Sequence, residues 1–264
     1  MAEDMLIVET DQRGVATVTL NRPDKHNAFN EALVADLGEA FGHLARNPFV
    51  RVVVLTGAGK SFSAGADLNW MQEMANYSEA ANLGDAGRLA DMLHALDTMP
   101  QPTVAKVNGA AFGGAVGLIG ACDIAVSAED AAFGITEVRL GLIPSVISPY
   151  VLRAIGPRQA RRFALTGERF GAPEAQRIGL VHEVTKKKVL DRTVAKFIDI
   201  LLAGAPGAQA EIKALIRDLW DLDRSGEAAR ADTAGRIARR RATEEARTGM
   251  AAFFEKRRPD WSAE

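Results

Sequence analysis

The chain has 264 residues, 47% of them apolar, with 32 basic and 34 acidic side chains. That much apolar sequence can bury a substantial core, as one large domain or one domain plus an appendage. The near-balance of charge argues against a general nucleic-acid or acidic-surface binder. A single cysteine, Cys122, excludes an internal disulfide and a Cys-rich metal site, and His26, His43, His94 and His182 show no metal-ligand spacing, so no metal is expected. In chain order, the acidic start Met1-Ala2-Glu3-Asp4 precedes only a short apolar run, unlike a secretory or transit signal. Val15-Ala16-Thr17-Val18-Thr19-Leu20 alternates like a strand and ends at the turn signal Asn21-Arg22-Pro23-Asp24. Asn30 is placed to cap a helix whose Leu33, Leu37, Phe41 and Leu44 share one face. A strand over 50–55 leads to a glycine-rich corner, and residues 72–85 read as a polar stretch. Leu89, Met92, Leu93 and Leu96 then fall at helical spacing, and Met99-Pro100-Gln101-Pro102 breaks that helix. Strands are expected over 103–107, 123–127 and 132–135, with a buried helix inside the apolar run Ala110 to Cys122. From Lys186 onward the chain reads as helices rich in Ala, Arg and Glu, with turns at Gly204–Gly207 and Ser225-Gly226. This region is too polar to fold well alone and is expected to pack on the core or on a neighbouring subunit. The alternation of strands and helices predicts α/β architecture, closer to a repeated strand–strand–helix unit than to a doubly wound sheet. No apolar run is long enough to span a bilayer, so the expected location is cytoplasmic with no membrane partner.

Two corners carry the chemistry. Ser63-Ala64-Gly65-Ala66-Asp67-Leu68 and Asn108-Gly109-Ala110-Ala111-Phe112-Gly113-Gly114-Ala115 each follow a strand-like run and open a helix. A glycine-rich turn at a helix start leaves N–H groups unpaired. Two such turns brought together make a two-donor pocket for an oxygen that becomes negative during a reaction. Glu137 lies between Phe133-Gly134-Ile135 and Leu140-Gly141-Leu142-Ile143-Pro144. A carboxylate in apolar sequence is either a proton-transfer group with a raised pKa or half of a structural ion pair. Gly57-Ala58-Gly59-Lys60-Ser61 imitates a phosphate-binding loop but has Val54 where that pattern needs glycine. No GxGxxG or GxSxG corner occurs, and Cys122 reads as a buried core residue. The basic clusters Arg239-Arg240-Arg241 and Lys256-Arg257-Arg258 are either solvated helix faces or contacts to ligand phosphates.

Taken in order, Leu20-Asn21-Arg22-Pro23, Lys25-His26-Asn27-Ala28, Phe62 through Leu68, Asn108 through Gly114, Ala121-Cys122-Asp123-Ile124, Glu137 with Gly141-Leu142-Ile143-Pro144, and Phe254-Glu255-Lys256-Arg257-Arg258-Pro259 resemble the crotonase (enoyl-CoA hydratase/isomerase) superfamily over nearly the whole chain. The resemblance implies a crotonase-like spiral of β-β-α units over residues 1–200. It implies a helical C-terminal oligomerisation region over 201–264, used in a homotrimer or a dimer of trimers. It implies acyl-CoA thioester substrates with no cofactor, coenzyme A being part of the substrate. Carried over residue by residue, the N–H groups of Ala66 and Gly114 form the oxyanion hole and Glu137 is the acid/base. Ala64, Asp67 and Leu68 line the CoA path. Lys25 and Ala28 lie near its nucleotide end, and Lys256 reaches a CoA bound by an adjacent subunit. Two-carboxylate hydratases of the family carry a second glutamate three residues after the second oxyanion glycine; here that position is Gly117.

A finer resemblance joins Gly113-Gly114-Ala115-Val116-Gly117-Leu118-Ile119 with Thr136 through Tyr150. It points to the bacterial methylglutaconyl-CoA and γ-carboxygeranoyl-CoA hydratases of leucine and acyclic terpene breakdown. The expected activity is therefore hydration of the C2=C3 bond of a branched or carboxylated enoyl-CoA by a single glutamate. A Δ3,Δ2-enoyl-CoA isomerase and a non-catalytic acyl-CoA-binding protein stand as alternatives. Arg139, Ser145, Ser148 and Tyr150 lie near Glu137 in sequence, with side-chain directions left open.

Overall fold

The computed structural model describes residues 4–221 and 226–262. Its strands, in chain order, are Leu6–Thr10 (β1), Val15–Leu20 (β2), Val52–Gly57 (β3), Ser61–Ser63 (β4), Thr103–Val107 (β5), Ala110–Phe112 (β6), Ile124–Ala128 (β7), Ala132–Gly134 (β8), Arg169–Gly171 (β9) and Glu183–Thr185 (β10). They form a six-stranded sheet ordered β1-β2-β3-β5-β7-β10 and a four-stranded sheet ordered β4-β6-β8-β9. The helices are Glu31–Arg46 (α1), Leu68–Met74 (α2), Glu79–Thr98 (α3), Gly114–Ala121 (α4), Ser148–Thr166 (α5), Ala172–Arg177 (α6), Leu190–Ala203 (α7), Pro206–Asp221 (α8), Glu227–Arg241 (α9) and Glu244–Phe254 (α10). The unit expected from sequence repeats three times. β3, β5 and β7 lie in the first sheet; β4, β6 and β8 follow each at once in the second; and α2 with α3, α4 and α5 close each turn. This is a mixed α/β fold with a helical C-terminal region.

Local chemistry sets the elements. The Asn30 side chain accepts from Leu33 N–H at 2.9 Å and starts α1, whose Leu33, Leu37, Phe41 and Leu44 are buried as their spacing requires. β3 is buried along its whole length, as a central parallel strand covered on both faces should be. The strand expected over 50–55 lies at Val52–Gly57, and the other expected strands fall within a residue or two of their observed ends. One expectation is corrected. Residues 72–85 are mostly helix, α2 reaching Met74 and α3 beginning at Glu79, because the Ser78 hydroxyl accepts from Ala81 N–H at 3.2 Å and caps a helix whose first half faces water. Gly156, at φ +71°, and Pro157 break α5 into two helical runs.

α7 lays Leu190, Val194, Ile198 and Leu202 on Val15, Val52, Val54, Val104 and Val126 of the six-stranded sheet. The C-terminal chain thus begins on the core. Lys213 of α8 reaches Asp123 at 2.6 Å, and α9 and α10 pack beyond it. The expected turn at Ser225-Gly226 falls partly outside the described residues, Gly226 alone being described, where it precedes α9. No helix among the described residues is long and apolar enough to cross a membrane.

Candidate active site

The candidate site lies where three parallel strands of the smaller sheet end. β4 pairs with β6 and β6 with β8, all parallel. β4 runs into the first corner, β6 into the second, and β8 toward Glu137. Parallel strands end on one edge, so three segments distant in sequence arrive together.

The corners touch. A side chain on Gly65 would stand 2.9 Å from the Phe112 carbonyl oxygen, immediately before Gly113. Gly65 at φ +89° and Gly113 at φ +54° both hold backbone that side-chain-bearing residues rarely adopt. Gly113 N–H donates to Gly134 O at 3.0 Å and locks the second corner onto β8. At the first corner, Phe29 N–H donates to Gly65 O and Asp67 N–H to Phe29 O, each at 2.7 Å, in a parallel bridge opposite Ala66. In that pattern the Ala66 N–H points away from Phe29, and among the described residues it has no acceptor. Gly114 is the first residue of α4, and its N–H likewise meets no acceptor there.

Glu137 opens a short helix over Glu137–Leu140. Its Oε1 lies 3.4 Å from the place where a side chain on Gly113 would begin. Its Oε2 is buried and has no hydrogen-bond partner. Burial pushes the Glu137 carboxyl above the ordinary carboxylate range, against a smaller downward pull from the backbone N–H groups of Glu137 and Thr136. The structural ion pair weighed from sequence is absent: among the described residues no cation pairs with Glu137. Two free N–H donors and a partly desolvated carboxyl in one place can polarise a carbonyl oxygen and move a proton beside it.

Gly117 is half of a close contact. A side chain there would begin 2.4 Å from Ile147 Cγ2 and 2.8 Å from its Cβ. Ile147, just before α5 and 3% exposed, fills the space that a side chain at 117 would need. Sequence reading missed Ile147 and also Phe29. The Phe29 backbone holds the first corner and its ring closes the space beside Gly114, where a side chain would meet Cε2 at 2.9 Å. An apolar residue thirty positions from Gly117 gives no local signal of that contact. Phe29 carries none beyond its burial.

The remaining predicted residues divide. Ala64 N–H donates to His26 O at 2.9 Å, which seats the Lys25–Ala28 loop against the first corner. Lys25, Ala64 and Leu68 are exposed there, and Ala28 is buried. Asp67 is committed internally: its carboxylate pairs with Arg22 at 2.8 Å and caps α2 through Asn69 N–H at 2.9 Å. Burial pushes its pKa up, but the Asn69 N–H, Arg22 and the charge of Lys25 together outweigh burial and hold it below the usual range. Lys256 stands exposed just past α10, and no hydrogen bond or ion pair ties it to either corner. Ser148 turns its hydroxyl to Pro144 O at 2.7 Å, and Tyr150 is buried. Arg240 is taken up by Glu211 and Glu245, and Arg257 by Glu255 and Asp260.

The profile of the enoyl-CoA hydratase/isomerase family matches residues 10–264. The crystal structure of an enoyl-CoA hydratase from Shewanella pealeana ATCC 700345 superposes with a TM-score of 0.93 at 45% identity, covering 98% of this chain and 96% of that one. A Mycobacterium smegmatis enoyl-CoA hydratase superposes with a TM-score of 0.92 at 37% identity, over 99% and 100% of the two chains. The crotonyl-CoA hydratase of Syntrophomonas wolfei is 34% identical over 265 residues, 99% of each chain.

Proposed function

We propose that this chain, which belongs to the enoyl-CoA hydratase/isomerase family, adds water across the C2=C3 bond of an α,β-unsaturated acyl-CoA, of the branched or carboxylated methylglutaconyl-CoA type. The observation that carries the reading is the Glu137 carboxyl, its buried Oε2 unpartnered, beside the acceptor-free N–H groups of Ala66 and Gly114. Those two N–H groups receive the thioester oxygen. The Glu137 carboxylate takes a proton from water as the water oxygen bonds to C3. The C2=C3 electrons move toward the thioester oxygen, where the two donors hold the enolate. Glu137 then returns the proton to C2 and the thioester carbonyl re-forms. One carboxyl thus serves both steps, and each N–H donor contributes about 3 kcal/mol to the charged intermediate. No cofactor enters. The exposed Lys25, Ala64 and Leu68, with Ala28, border the path of the CoA, and Asp67 shapes that path through Arg22 and α2. Lys256 serves the site of an adjacent subunit. Exposed Ile212, Ile216, Ile237, Phe253 and Phe254 on the C-terminal helices support assembly as a homotrimer or dimer of trimers.

The contact between Ile147 and Gly117 favours one second reading, a Δ3,Δ2-enoyl-CoA isomerase. With an apolar group in place of a second carboxylate, no side chain there orders an attacking water, and Glu137 alone can move a proton from C2 to C4. Separate incubation of 2-enoyl-CoA and 3-enoyl-CoA substrates, with products identified by mass and chromatography, decides between them. Hydration predicts 3-hydroxyacyl-CoA from the 2-enoyl thioester. Conversion of the 3-enoyl thioester to its 2-enoyl isomer, with no hydroxy product from either, would overturn it.

A further inference from the structure

An apolar cavity of about 350 Å³ is walled by the segments on either side of Glu137. Ile147, which faces Gly117 one helical turn beyond Gly114, forms part of its wall, and so does Ile135, two residues before Glu137. Val151, Leu152 and Leu165 from the two runs of α5 continue the lining. Two polar side chains, Ser148 and Arg161, border it, and the Ser148 hydroxyl is spent on Pro144 O. Arg161 is exposed and also borders a second cavity of about 720 Å³ shared with Arg158, Arg162 and Arg177. Arg162 pairs with Glu168 and Glu174, and Arg177 with Glu174. Among the described residues no carboxylate pairs with Arg158 or Arg161. An apolar chamber that shares Ile147 with the Gly117 contact therefore opens toward solvent at an arginine that no acid neutralises.

We propose that this cavity takes the distal part of the acyl chain and that Arg161 is a specificity-determining residue, binding a carboxylate at the end of that chain; the assignment rests on the acyl-CoA reading above. The methylene carbons of such a chain match the apolar wall. Its terminal carboxylate meets the planar fork of a guanidinium, which accommodates two carboxylate oxygens at once. Because Arg161 sits at the solvent side, neither charge is stripped of water completely, and attraction is retained without the large desolvation cost of a buried pair. A neutral end group of the same size gains the wall contacts and loses the charged ones. The expected discrimination is about tenfold to a hundredfold.

Calorimetric titration of the full chain with saturated thioesters tests this without requiring turnover. The probes are CoA monothioesters of dicarboxylic acids of graded chain length and their terminal methyl esters. At the length that fits, the acid binds about tenfold to a hundredfold more tightly than its ester. In Arg161→Gln that preference collapses toward unity while ester affinity holds, and Arg161→Lys keeps part of it. Equal affinity for acid and ester in the unmodified chain, or a preference that survives Arg161→Gln, would overturn the assignment to Arg161 and leave the acyl-CoA reading standing. Failure of every thioester to bind overturns both.

Discussion

Introducing a methyl group at residue 117 tests the packing that sets this site apart. In Gly117→Ala the new Cβ starts 2.4 Å from Ile147 Cγ2 and 2.8 Å from Ile147 Cβ, whereas unstrained carbon contacts lie near 3.5–4.0 Å. A displacement of about 1 Å is required, and a β-branched side chain has few rotamers in which to make it. Overpacking of this kind costs about 1–3 kcal/mol, while replacing a helix-interior glycine by alanine returns about 1 kcal/mol. The single substitution is therefore destabilising by about 0–2 kcal/mol, too broad a range to decide anything alone. The double-mutant cycle with Ile147→Ala removes the ambiguity. Ile147→Ala leaves a cavity and costs about 2–4 kcal/mol. In that background the 2.4 Å contact is gone and only the 2.8 Å contact to the Cβ that alanine keeps is left, so Gly117→Ala costs about 1 kcal/mol less than in the unmodified chain. The coupling is about 1 kcal/mol in favour of the double variant. Urea unfolding of the four proteins, followed by circular dichroism at one fixed protein concentration, measures it. An effect of Gly117→Ala that is the same in both backgrounds, within about 0.5 kcal/mol, refutes the claim that Ile147 occupies this space.

Two further outcomes follow from burial. The Glu137 carboxyl is pushed above its ordinary value of 4.5 in the folded chain, so between the unfolded and folded values the folded state holds more protons, and stability falls as pH rises through that window. Glu137→Gln lacks this loss: its stability relative to the unmodified chain, measured by urea unfolding at a series of pH values, rises from pH 4 upward and levels off above the folded-state pKa, and a pH-independent difference contradicts the burial argument. Burial also pushes the Cys122 thiol up to about 12, leaving roughly one thiolate in 10,000 at pH 8 against about a quarter for a free thiol. Iodoacetamide followed by intact-mass measurement should label the folded chain only at the rate of unfolding, and rapid labelling under native conditions is the contrary result.

The fold was legible where residue pattern and physical cause are local. The alternation Val15–Leu20, the Asn30 cap and the apolar face from Leu33 to Leu44 each appear where the sequence places them. Glycine corners at strand-to-helix turns were legible because unusual backbone demands unusual residues, and Glu137 stood out as a charge in apolar sequence. The two-residue to three-residue pairings of β4, β6, β8 and β9 were not legible, since strands so short carry no periodicity. The start of α3 was hidden because its first half is exposed and polar, and only Ser78 marks it. Asp67, read from its motif as bordering a ligand, is held by Arg22, a partner 45 residues away. Ile147 against Gly117 and Phe29 against Gly114 are long-range packing relations. A single sequence carries no record of which distant side chain fills a glycine's missing volume.

In the proposed reaction Glu137, whose Oε1 lies against the Gly113 corner, moves the proton by itself. Steady-state turnover of 2-enoyl-CoA by Glu137→Gln, an isosteric change that keeps the packing and removes the base, tests it most directly. The expected result is a fall in kcat of several orders of magnitude with KM nearly unchanged. Turnover close to that of the unmodified chain contradicts it.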